Sequence, residues 1–126
     1  MTFKLLSSEL VELIYSEVLY EGEVAGRAAD TSLDGALARI QNRINYGLIG
    51  DAYSLAACYA TVISQGHRFN DANKRTAFIA MDTVLALNGI EIHWNTVEVG
   101  QKIISLAQSD MDEALFTQWL RDQVAE

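Results

Sequence analysis

The chain has no proline, one cysteine, two histidines and only nine basic residues against seventeen acidic ones, and each shortage excludes something. A single thiol cannot form an internal disulfide, so a cysteine-stapled secreted scaffold is excluded and a reducing cytoplasm is expected. Two histidines and one cysteine provide no credible zinc ligand set. A net charge of −8 disfavours a general nucleic-acid binder, because phosphate backbones demand a basic surface. Long apolar runs are also missing. The longest near-apolar stretch, Ala52 to Ile63, is too short to cross a bilayer, so no membrane role is expected. Polar Ser7, Ser8 and Glu9 follow the first six residues at once and leave no room for a signal-peptide core.

What is present points to a compact helical protein. At 126 residues, 50% of them hydrophobic, the chain suits one domain spanning residues 1–126 and is too apolar for disorder. Surface scaling buries roughly two thirds of the unfolded surface at this size, which is enough for a real core. Without proline, punctuation falls to eight glycines and to capping residues.

Ser7 or Ser8 caps a first helix with an apolar stripe at Leu10, Leu13, Ile14 and Val18, closed by Glu21-Gly22. Ser32 caps a second, with Leu33, Leu37, Ile40 and Ile44 on one side. Asp51 caps a third, apolar on nearly every face as far as Gln65, as a central buried helix should be. A fourth runs from about Ala72 to Asn88, with Phe78, Met81 and Leu85 inward. Asn95 with Glu98, and Asp110 with Glu113, read as capping boxes for two more, the last carrying Leu115, Trp119 and Leu120. Ile90 to Ile92 allows one short strand. The expected class is all-α, about six helices with at most one short β element.

Charge is unevenly spread. Residues 35–90 carry a net +2, although the whole chain carries −8. Three of the nine bases, Arg68, Lys74 and Arg75, lie in the polar turn His67-Arg68-Phe69-Asn70-Asp71-Ala72-Asn73-Lys74-Arg75, between the buried helix and its successor. A loop entering a helix offers unpaired backbone N–H groups and the positive end of the macrodipole, which suits an anion. Lys74 and Arg75 fall in the first turn, where positive side chains oppose that dipole, and a bound anion supplies a reason for them. His67 is a candidate general base, held neutral by neighbouring cations. Asp71 is a hard oxygen donor of the kind that holds Mg²⁺ beside phosphates; the lesser alternative is that it caps the helix or pairs with Arg75. Together these residues read as parts of a nucleotide-dependent transferase.

The nonapeptide resembles the signature of the Fic/Doc (Fido) family, His-Pro-Phe-x-Asp/Asn-Gly-Asn-Gly-Arg-x-x-Arg. His67, Phe69, Asp71, Asn73 and Arg75 match it, while Asn70, Ala72 and Lys74 follow its Doc-like form. The run Leu33 to Asn42 resembles a second stretch of that family. The resemblance implies that His67 deprotonates a target hydroxyl, that Asp71 holds Mg²⁺ on ATP, and that Asn73, Lys74 and Arg75 bind phosphate oxygens. Arg68, in the place of the signature proline, joins that basic set. It further implies that Phe69 anchors the loop in the core.

Two departures choose within the family. Lys74 replaces a small glycine and Phe78 replaces a second arginine, both of which AMP-transferring members carry. In Doc-like proteins those changes accompany an inverted nucleotide that presents its γ-phosphate. The resemblance therefore implies an ATP-dependent protein kinase and toxin. Its expected target is a threonine of elongation factor Tu, its effect translation arrest, and its neutralising partner a Phd-like antitoxin with a disordered tail. AMP transfer on the same fold and a non-catalytic antitoxin-binding module are the alternatives.

The remaining candidates read more plainly. Cys58 is a small buried hydrophobe and His93 a structural residue. Tyr46 to Gly50 is either a target-docking flap or a plain loop. Ser16 with Glu21-Gly22 lies one residue out of register with the family's inhibitory helix pattern. A helix turns about 100° per residue, so that match is rejected and restraint is expected from a partner.

Overall fold

The computed structural model describes residues 2–23, 33–66 and 72–124. In chain order the helices are α1 (Ser8–Val18), α2 (Leu33–Asn45), α3 (Ala52–Gly66), α4 (Asn73–Leu87), α5 (Thr96–Ala107) and α6 (Glu113–Asp122). No strand occurs among the described residues. Ile90 to Ile92 is irregular instead, because every neighbouring element is a helix and a strand needs a partner to satisfy its backbone. Ile92 is buried there, so its hydrophobicity serves the core without a sheet.

The reason for the arrangement lies in α3. Leu55, Ala56, Ala57, Cys58, Tyr59, Ala60 and Ile63 are all essentially inaccessible. A helix apolar on nearly every face must be largely surrounded, and α2, α4, α5 and α6 all pack on it. The small side chains at 56, 57 and 60 let neighbouring helices come close. In turn α1 lies against α4, burying Val11, Ile14 and Tyr15. The inward stripe of α1 is therefore rotated from the expected one, and Leu13 faces solvent.

Caps explain most helix starts. Ser7 accepts a hydrogen bond from Leu10 N–H at 3.1 Å, and Asn95 accepts one from Glu98 N–H at 3.0 Å. The α5 box is only half made, because the Glu98 carboxylate instead accepts from Trp119 Nε1 at 3.0 Å. The last helix starts later than expected. Its cap is Asp112, accepting from Leu115 N–H at 2.8 Å, and not Asp110. That leaves Leu115 exposed and puts Phe116 in the core. The expected cap of α2, Ser32, lies outside the described residues.

Asp51 caps α3 through Ser54 N–H at 2.8 Å and also accepts from Arg121 Nε of α6 at 2.9 Å. Burial opposes ionisation of Asp51, but hydrogen bonds from Arg121 and Ser54 outweigh it and hold the carboxyl below the usual carboxylate range. Arg43 at the end of α2 pairs with Glu113 of α6 at 2.7 Å. Near the other end of α3, Gln65 Nε2 donates to the Leu106 carbonyl of α5 at 2.8 Å. Tyr59 fastens the N-terminal segment: its hydroxyl accepts from Leu6 N–H at 3.0 Å and donates to the Leu6 carbonyl at 3.3 Å.

The start of α4 is different. Its N-cap position is Ala72, which carries no capping side chain and sits in the left-handed region at φ 66°, ψ 20°. Such a conformation strains any residue with a Cβ. Thr76 stabilises the turn by donating both its N–H (2.9 Å) and its hydroxyl (2.8 Å) to the Ala72 carbonyl.

Three outcomes follow for stability. Tyr59→Phe strands the buried backbone groups of Leu6, and urea unfolding should show a loss of about 1–3 kcal/mol. Ala72→Gly removes the left-handed strain and should raise the unfolding free energy by about 1 kcal/mol in the same assay. The lowered Asp51 carboxyl contributes stability in full above about pH 4, and this contribution is lost as the pH falls through the folded-state value. Asp51→Asn should therefore flatten the acid limb of the stability profile measured by thermal unfolding.

Candidate phosphate-binding site

The polar turn joins α3 to α4, the two helices at the centre of the core. Of the candidate residues, His67, Arg68 and Asp71 lie outside the described residues, as do Phe69 and Asn70. Asn73, Lys74 and Arg75 are described, and they form the first turn of α4. The sequence thus places two cations and a helix start together, and the structure adds that this start has no side-chain cap at Ala72. An N-terminus of this kind, with cations around it, is suited to holding an anion.

Lys74 is exposed and makes no ion pair among the described residues. Arg75 is held tightly. Its guanidinium pairs with the Glu23 carboxylate and lies over the Tyr20 ring, 3.7 Å from the centroid. Glu23 in turn accepts from Tyr20 N–H at 2.6 Å. That hydrogen bond, followed by the Arg75 guanidinium, holds the Glu23 carboxyl below its ordinary value. Tyr20 and Glu23 are therefore part of the site's surroundings, brought in by the chain that follows α1. Sequence reasoning missed both. They lie more than fifty positions from Arg75, and no local pattern reports so distant a contact.

Two buried polar atoms have no hydrogen-bond partner among the described residues, Ser64 Oγ and Arg75 Nη1. They flank the polar turn, one in the last turn of α3 and one in the first turn of α4. Beyond Arg75 on the same face, Phe78 packs edge-on against Trp94, with ring centroids 5.7 Å apart and planes at 75°. Trp94 stacks on Trp119 at 6.0 Å, and Trp119 meets Phe116 at 5.7 Å. Trp94 Nε1 donates to Asp82 at 2.9 Å.

The other singled-out residues fall away from this turn. Cys58 is buried, and burial is the main reason its thiol is pushed up to about 11, despite Arg43 Nη1 at 3.2 Å. A thiol so seldom ionised is an unreactive core residue. His93 is exposed. Tyr46 and Leu48 are strongly exposed, but they precede α3, whereas the polar turn follows it. A helix of 15 residues is about 22 Å long, so the two loops lie at opposite ends of it. No group of three or more His, Cys, Asp or Glu residues among the described ones could hold a metal ion. Among them, no helix is long and apolar enough to cross a membrane.

Comparison with known proteins agrees with the motif. The family model described as "Fic/DOC family" matches residues 3–85. Over 113 residues the chain is 27% identical to "Protein kinase doc" of Escherichia phage P1, covering 90% of this chain and 89% of that protein. The matched segment takes in α1, α2, α3 and most of α4, and so includes the whole polar turn with the helices on either side of it. On these grounds the chain belongs to the Fic/DOC family.

Proposed function

We propose that this chain is an ATP-dependent protein kinase and the toxin of a type II toxin–antitoxin pair. Its substrate is expected to be a threonine hydroxyl of elongation factor Tu in the cytoplasm, and its effect translation arrest. The observation that carries this reading is on α4. Lys74 projects from the first turn, where a glycine would leave room, and one turn later Phe78 packs against Trp94 where an arginine would serve a phosphate. The relative from phage P1, named a protein kinase, supports the same choice.

In this reading the hydroxyl oxygen attacks the γ-phosphorus, the bond from that phosphorus to the β–γ bridging oxygen breaks, and ADP leaves. His67 accepts the hydroxyl proton. Arg68, Asn73, Lys74 and Arg75 bind phosphate oxygens, helped by the N–H groups opening α4. Asp71 would hold Mg²⁺, which when bound neutralises phosphate charge. Arg75 must release or share Glu23 to serve a phosphate, because its guanidinium is already paired. A Phd-like antitoxin with a disordered tail would supply the restraint.

Incubation with magnesium, elongation factor Tu and ATP labelled at the γ or the α position tests the reading. Label should reach the target from the γ position only, and label arriving from the α position means AMP transfer instead. His67→Ala and Asp71→Ala should each slow transfer by about 10²–10⁴-fold and relieve growth arrest on expression. Variants as toxic as the parent would exclude catalysis as the cause.

A further inference from the structure

Asn88 closes α4 and is the chain's only asparagine followed by glycine. Its side-chain amide ties the N-terminal segment to that helix end. Oδ1 accepts from Lys4 N–H at 2.9 Å, while Nδ2 donates to the Lys4 carbonyl at 3.0 Å and to the Val84 carbonyl at 2.8 Å. Two residues along, Tyr59 fastens the same segment at Leu6. Asn88 is half-buried and Gly89 exposed, and a hollow of about 260 Å³ lined by Phe3, Tyr53, Asn88 and Ile90 admits water to the junction.

An asparagine before glycine is prone to lose its amide, because no side chain shields the next backbone nitrogen. The Gly89 nitrogen gives up its proton and attacks Cγ of Asn88. The new C–N bond closes a cyclic imide, the bond from Cγ to Nδ2 breaks, and ammonia leaves with the proton. Water then opens the imide at either carbonyl, giving aspartate or isoaspartate. In the folded chain both reacting groups are held back. Gly89 N–H donates to the Ala86 carbonyl at 3.1 Å, and the Asn88 amide is gripped by its three hydrogen bonds.

We propose that Asn88 is a deamidation site guarded by the N-terminal segment, and that its conversion releases that segment for good. The aspartate has no proton to offer the Lys4 and Val84 carbonyls, so two donated hydrogen bonds become contacts between oxygens. Its charge also falls at the C-terminus of α4, where the macrodipole is already negative. Isoaspartate instead adds a methylene to the backbone just before Gly89, which turns the chain at φ 85°. Each product therefore disfavours the docked segment, and the hydrolysis does not run backward in water.

Peptide mapping by mass spectrometry tests the guard, following conversion of Asn88 to aspartate and isoaspartate at mildly alkaline pH. The parent should convert at least about tenfold more slowly when folded than in urea. Tyr59→Phe and Lys4→Pro each remove a hydrogen bond that holds the segment, the second by deleting the Lys4 N–H. Each should speed conversion of the folded chain by about two- to tenfold. Ile103→Val, in the core on α5, lowers stability without touching the segment and should keep the parent's rate. In Asn88→Asp, amide hydrogen exchange across residues 2–7 should be at least about tenfold faster than in the parent, with exchange in α3 unchanged. Equal rates folded and in urea, or segment variants converting at the parent's rate, would overturn the guard. Acceleration by Ile103→Val as large as theirs would overturn it too, since global unfolding would then be the gate. Unchanged exchange in Asn88→Asp, or exchange raised equally in α3, would overturn the release.

Discussion

The burial of most of α3 beneath four other helices is the constraint on which the rest depends. A helix apolar on nearly every face is stable only when others cover it, and α2, α4, α5 and α6 pack on α3. Its two ends are thereby held from different directions. Asp51 at the start is bound by Arg121 of α6, and Gln65 near the finish donates to the end of α5. The polar turn leaves from that second, anchored end and enters α4, the other deeply buried helix. Chemistry-bearing residues on a loop are useful only when the loop's endpoints are fixed, and here both endpoints belong to the core.

An acidic protein can still provide a cationic site, because the local field is set within a few ångströms and not by the total. Here Lys74 and Arg75 sit over a helix start that already carries partial positive charge. The crowding of like charge has a partial answer inside the chain. Glu23 neutralises Arg75 and Tyr20 offers its ring face, while Lys74 is left to solvent. The first turn of α4 is therefore asymmetric, with one cation restrained and one not. An incoming polyanion would meet the exposed lysine before it displaced a carboxylate.

Much of this is legible in the residues. Six helices occur in the order that periodicity gives, with α6 starting later than its expected cap, and the family's signature stands in the residue order from His67 to Arg75 without any need of coordinates. The failures have physical causes. Leu13 and Val11 are both apolar on α1, and only the position of α4 decides which is buried. Asp110 and Asp112 are equally good caps in isolation, and α6 is settled by Phe116 reaching the core. Ile90 to Ile92 has strand-like composition, but a strand cannot form without an edge to pair with. Tyr20 and Glu23 gain their meaning only from tertiary contact.

The aromatic row along α4 and α6 has a spectroscopic consequence. The chain's only two tryptophans are stacked on each other, and Trp94 touches Phe78, a wall of a hollow between α4 and α5. Their ultraviolet emission therefore comes from one location, with each indole N–H held by a carboxylate, Asp82 for Trp94 and Glu98 for Trp119. A shift of α5 against α4 would change the surroundings of both fluorophores together. The protein thus carries an intrinsic optical gauge one side chain away from that hollow, without any introduced label.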